Sequence, residues 1–159
     1  GYICKIPPGG GEGSVWNRDL SQFPNGLCLS PDNEYLYVVI SMIRPRIDRV
    51  EIKSDGNSGS IETVVELPGT VPDGLAFDTA GNLYISCYRP DRVYRLDPEG
   101  NLMILAEEPT GHLISAPTNV AFCGQNRDIF LSTNLGRWHL TQYKVEFTGA
   151  TLNYPRIPF

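Results

Sequence analysis

Hydrophobic positions in this sequence fall in short runs, and within most of them apolar and polar residues alternate. Alternation places one face of a strand toward a core. Nowhere does an apolar stripe keep helical spacing over three turns. The clearest predicted strands are Tyr35–Ile40, 83–88 and 129–133, each rich in aromatic or β-branched residues. Strands over 49–53, Arg92–Leu96 and 142–147 follow as their partners, and strands over 61–67 and 102–106 complete the first two sets. Turn-forming stretches separate them, among them Pro31-Asp32-Asn33, Asp55-Gly56-Asn57 and Asp97-Pro98-Glu99-Gly100. The pattern predicts an all-β protein.

A repeat organises these strands. Pro24-Asn25-Gly26-Leu27, Pro72-Asp73-Gly74-Leu75 and Pro117-Thr118-Asn119-Val120 each open a unit, and the opening prolines stand 48 and 45 residues apart. A four-stranded propeller blade takes about 40–50 residues. The prediction is therefore one partial β-propeller domain over 1–159, with about three to three and a half blades. Residues 1–20 form the end of one blade, 21–70 and 71–110 are blades, and 111–159 form the last. Propellers have about four to eight blades. The chain begins at Gly1 rather than Met, and the expectation is a truncated form of a full propeller. The other arrangement is a half-propeller that completes its ring as a homodimer.

The first strand of each blade lines the central channel, so the residue just before it stands at the channel's mouth. Those positions hold Asn25, Asp73 and Thr118. Oxygen-bearing side chains converging from neighbouring blades suit a hard divalent cation. Pro-Asn-Gly and Pro-Asp-Gly are also common turn tripeptides, with Asx side chains bonding their own backbone. Asn119 is a further candidate for the mouth, as ligand to a substrate or as a turn cap. His139 reads as a packed or exposed structural residue, with a role at the rim as the alternative, and His112 as a solvent-exposed loop residue. Arg89 and Asp91, flanking Pro90, read as a surface turn. Ser86 and Ser132 lack the GxSxG turn that would expose a nucleophile.

Composition narrows the partners. A net charge of −5 with charges interspersed gives no electrostatic reason to expect nucleic acid or an anionic membrane. No apolar run is long enough to span a bilayer. Cys4, Cys28, Cys87 and Cys123 form no CxxC pair. They read as reduced, structural thiols in a cytoplasmic setting, the secreted alternative being cross-strand pairing.

The stretches Phe23-Pro24-Asn25-Gly26-Leu27-Cys28-Leu29-Ser30-Pro31-Asp32 and Val71-Pro72-Asp73-Gly74 resemble the gluconolactonase family, which includes regucalcin. So do Gly81-Asn82-Leu83-Tyr84-Ile85-Ser86-Cys87-Tyr88 and the tail Gly136-Arg137-Trp138-His139-Leu140-Thr141. The resemblance implies the C-terminal half of a six-bladed propeller. It also implies a hydrolase of small-molecule lactones or esters with one divalent cation (Ca, Zn, Mn or Mg). Carried onto this sequence, Asn25 is a metal ligand, and Asp73 is both metal ligand and catalytic acid or base. The family's Glu ligand and its substrate-binding Arg and Asn come from earlier blades and have no counterpart here. A Phe-Gly-Gly stretch of its last blade reads Phe122-Cys123-Gly124. The alternative function is a non-catalytic propeller binding module, or an inactive half-propeller that self-associates, because a fold by itself implies no chemistry.

Overall fold

A computed structural model describes residues 1–154; the last five residues of the expected domain lie outside the described residues. Among the described residues, thirteen strands make four antiparallel sheets. The first sheet pairs β1 (Ile3–Lys5) with β2 (Ser14–Asn17). The second is a meander of β3 (Pro24–Leu29), β4 (Tyr35–Ile40), β5 (Arg46–Ile52) and β6 (Ser58–Glu66). The third repeats it with β7 (Val71–Phe77), β8 (Leu83–Arg89), β9 (Arg92–Leu96) and β10 (Leu102–Glu107). The fourth holds β11 (Pro117–Cys123), β12 (Ile129–Asn134) and β13 (Leu140–Tyr143). The opening strands β3, β7 and β11 lie beside one another. Among the described residues the first and last sheets do not pair, so the arc is open.

Strand alternation explains how the sheets stack. Along β4, Val38 and Ile40 turn to one face and join Ile3, Leu20 and Val50 in a core against the first sheet. Tyr37 and Val39 turn to the other face, where Val39 packs with Ile47, Leu75, Leu83, Ile85 and Leu96. Tyr37 meets Phe77 edge-on with ring centroids 4.9 Å apart. Tyr84, Val93, Val120, Phe122 and Phe130 form the third core, between the third and fourth sheets. Period-two side chains thus bury both faces of each middle sheet. Tyr35 and Tyr88 lie beneath the guanidinium groups of Arg49 and Arg89, at 4.7 and 5.1 Å.

The strand expected over 142–147 is displaced. β13 ends at Tyr143, and the chain then leaves the fourth sheet to bridge the third, with Gly149 opposite Asp78. The Thr79 amide donates to the Thr148 carbonyl at 2.8 Å and the Ala150 amide to the Phe77 carbonyl at 2.9 Å. Buried Asp78 organises the turn that receives this segment. Its carboxylate accepts the amides of Ala80 and Asn82 at 2.9 Å, the Asn82 side-chain amide at 2.8 Å and the Tyr84 hydroxyl at 3.0 Å. A carboxylate so satisfied can be buried without an unpaired acceptor.

Candidate functional site

Each opening strand carries a β-bulge at the same place. The register shifts between Pro24 and Leu27, between Pro72 and Leu75, and between Pro117 and Asn119. A bulge interrupts the ladder and re-aims the side chains it carries. Here those residues are Asn25 with Gly26, Asp73 with Gly74, and Thr118. Two of the three bulges are entered through strained backbone, since Phe23 and Ala116 take φ values of 66° and 48°. Non-glycine residues rarely adopt the left-handed region, and such strain tends to gather at functional sites.

The bulges also fit against one another from sheet to sheet. A Cβ on Gly26 would stand 2.0 Å from the Asp73 carbonyl oxygen and 2.8 Å from the Gly74 Cα. A Cβ on Gly74 would stand 2.2 Å from Asn119 Oδ1. The glycines of the two openings are therefore spacers that let neighbouring bulges touch. Asn25 and Asp73 come together through this contact, Asn25 exposed and Asp73 half-buried. Burial pushes the Asp73 carboxyl above the ordinary aspartate range, and the neighbouring Asn25 amide opposes this in part. Desolvation disfavours the charged form, which makes the carboxylate a stronger base.

Thr118 and Asn119 behave differently from that pair. Thr118 is tied sideways, its hydroxyl 3.1 Å from that of Thr133 on β12. Asn119 is the residue that abuts Gly74, and its Oδ1 accepts its neighbour Val120's amide at 2.9 Å. Ser86 accepts the Gly74 amide at 2.9 Å and is fully buried, so it pins the bulge. Ser132 pairs with the Tyr143 hydroxyl at 2.7 Å. His139 Nε2 lies 2.9 Å from the Leu113 carbonyl, to which it can only donate. His112 is exposed beside Thr110. Arg89 and Asp91 pair with each other at 3.0 Å. The four cysteines are unpaired, and burial pushes the thiols of Cys28 and Cys87 up to about 12.

Sequence reasoning passed over Ser41, the residue directly after β4. It is buried, donates from Oγ to the Pro72 carbonyl at 2.7 Å, and accepts from Asn25 Nδ2 at 3.3 Å. Its amide donates to the carbonyl of strained Phe23 at 3.2 Å. The available signal was a lone hydroxyl ending the apolar run Tyr35–Ile40.

A hard cation takes about six to eight oxygen ligands if it is calcium. Asn25 and Asp73 offer an amide oxygen and a carboxylate from adjacent sheets, and apart from Asn25 no side chain among the described residues engages the Asp73 carboxyl. These are two of the donors such an ion could take. No group of three or more His, Cys, Asp or Glu side chains gathers among the described residues. A cavity of about 380 Å³ lies at the far end of the same opening strands, lined by Leu27, Leu29, Leu75, Phe77, Val120 and Phe122 and by the segment 150–154. Among the described residues its lining holds no charged side chain.

Four-stranded meanders stacked face to face, their opening strands side by side, define the β-propeller class. Within that class the chain belongs to the SMP-30/gluconolactonase/LRE-like family, whose profile matches residues 3–134. A 6-deoxy-6-sulfogluconolactonase of Pseudomonas putida is 32% identical over 114 residues, covering 69% of this chain and 38% of that protein. Regucalcin of Xenopus laevis is 33% identical over 88 residues, covering 54% of this chain and 29% of that protein. The crystal structure of regucalcin from Agrobacterium tumefaciens, described as a calcium-binding protein, superposes with a TM-score of 0.76 at 21% identity. That match covers 98% of this chain and 56% of that one. The chain thus spans about half or less of the length of these relatives.

Proposed function

We propose that the protein is a lactone or ester hydrolase of the six-bladed propeller type, to which this chain contributes the blades described above, with Asn25 and Asp73 as ligands to a divalent cation. The observation that carries this reading is the contact between two bulged openings, which sets an amide and a half-buried carboxylate side by side from successive sheets. A lactonase among the relatives supports the same chemistry.

A divalent cation, when bound, supplies Lewis-acid polarisation of the acyl carbonyl. Asp73 takes the proton of the attacking water as its oxygen adds to that carbonyl, and returns a proton to the leaving alkoxide as the ring opens. A carboxylate positioned beside the attacking water is suited to both transfers. Asn25 offers an oxygen without adding negative charge. Thr118 and Asn119, at the equivalent opening of the next sheet, are the candidates to touch the substrate.

Hydrolysis of gluconolactone and of an aryl ester, with each of Ca²⁺, Zn²⁺, Mn²⁺ and Mg²⁺ and with EDTA, tests the proposal. Asp73→Ala is expected to abolish turnover and Asn25→Ala to weaken ion affinity; wild-type turnover by both refutes the assignment. A non-catalytic binding module is the second reading, favoured by Asp73 being the one acidic side chain at the two contacting bulges among the described residues. Ion binding without turnover of either substrate would support it.

A further inference from the structure

We infer that Ser41 is the positioning residue that sets which end of the Asn25 amide faces the channel mouth, and that it does so by coupling the two bulges that carry Asn25 and Asp73. The inference rests on the reading of Asn25 and Asp73 as cation ligands.

A serine hydroxyl has one hydrogen to give and lone pairs to accept with. Ser41 gives its hydrogen to the Pro72 carbonyl, at 2.7 Å and across the boundary between sheets. Toward Asn25, 3.3 Å away, the same oxygen can therefore only accept. The end of Asn25 that meets it must be the NH2, because two acceptors would repel. A carboxamide's nitrogen and oxygen look alike in shape, and the hydrogen-bond network decides between them. With Nδ2 held by Ser41 and also facing the Asp73 carboxyl, Oδ1 accepts no hydrogen bond among the described residues and stays open at the exposed mouth. An amide oxygen is a ligand for a hard cation, and an amide NH2 is not.

The carbonyl that Ser41 grips belongs to Pro72, the residue before Asp73. The serine amide holds the carbonyl of Phe23, two residues before Asn25. One buried residue thus ties the backbone approaching each ligand, through its amide on one side and its hydroxyl on the other. Partners that fix a ligand's orientation commonly govern ion affinity even though they do not touch the ion. Neither the third nor the fourth sheet repeats the device, since Tyr88 and Leu135 follow Cys87 and Asn134 at the equivalent place.

The test is a double-mutant cycle on calcium affinity, measured by isothermal titration with Ser41→Ala, Asn25→Ala and the pair. Loss of one hydrogen bond to a ligand is expected to weaken calcium binding about three- to tenfold. In the Asn25→Ala background the same serine substitution should weaken it less, because no amide is left to orient and only the tie to the Pro72 carbonyl is lost. Ser41→Thr keeps the hydroxyl and should bind calcium as the wild type does. Equal losses from Ser41→Ala in both backgrounds would mean that the serine acts through the fold alone, and would overturn the inference. Ser41→Cys is a near-isosteric variant with a weak hydrogen-bonding group, and it carries the same cycle if the alanine variant does not fold. If Asn25→Ala weakens binding and neither serine variant does, the positioning role fails while the ion site stands. If Asn25→Ala and Asp73→Ala bind calcium as the wild type does, the ion site itself is wrong.

Discussion

Gly26→Ala probes the contact on which the site depends. The φ of Gly26 is not in the left-handed region, so its backbone conformation suits any residue; space alone is at stake. The added Cβ would meet the Asp73 carbonyl oxygen at 2.0 Å, its carbon at 3.0 Å and the Gly74 Cα at 2.8 Å. All three are backbone atoms of the neighbouring sheet, so no rotamer change relieves the clash. Ordinary contact needs the two bulges to separate by roughly 1–1.5 Å. Overpacking of this kind costs about 1–3 kcal/mol, and the upper end applies where only backbone can move. Removing a glycine from the unfolded chain offsets about 0.4–1 kcal/mol of that. The net expectation is destabilisation by about 2 kcal/mol, or about 4–8 °C in Tm for a chain of this length. Gly9→Ala is the control, since nothing lies within 4 Å of its Cβ and its φ is ordinary. Urea unfolding of both variants, followed by circular dichroism, gives the comparison. If Gly26→Ala is as stable as Gly9→Ala, the bulges do not touch as described, and the pairing of Asn25 with Asp73 loses its structural basis.

Two further outcomes follow from the protonation of buried groups. The folded-state pKa of Asp73 is raised above its unfolded value, so the folded protein holds that proton to higher pH. Stability from this group is present below the ordinary aspartate pKa and is lost as pH rises through the elevated one. Asp73→Asn should therefore make the ion-free protein more stable at neutral pH and flatten the fall in stability just above the ordinary aspartate range. A variant less stable than wild type at pH 7 in EDTA would contradict this. For the thiols, a disulfide reagent at pH 8 should modify exposed Cys4 in the native protein, and Cys28 and Cys87 only after unfolding, because their thiols are held up to about 12. Mass mapping of the labelled peptides reads the result, and native labelling of Cys87 would refute its burial.

The strands were the most legible part of the molecule. Tyr35–Ile40 and Arg92–Leu96 occur where their alternating patterns predict them, because a strand's period of two is a local property of the backbone. The strand expected over 142–147 was misplaced for a nonlocal reason. Its pattern is strand-like, but the Asp78 turn of the third sheet offers the segment around Gly149 a partner that the local sequence does not reveal. At the site, Asn25 and Asp73 stood out because both occupy the same step of a repeat. Thr118 occupies that step too, yet its hydroxyl is engaged by Thr133, and Asn119 takes the place against Gly74.

By itself the sequence determined the all-β character, the spacing of the repeated openings and the common step at which Asn25 and Asp73 stand, since each is written in local periodicity or in register between repeats. Tertiary structure alone decided that Gly26 lies against the Asp73 carbonyl and that Ser41 joins Asn25 to Pro72. Those contacts link residues 47 and 31 positions apart in the chain. They exist only once hydrophobic burial has stacked one sheet upon the next, at a spacing that no stretch of sequence records.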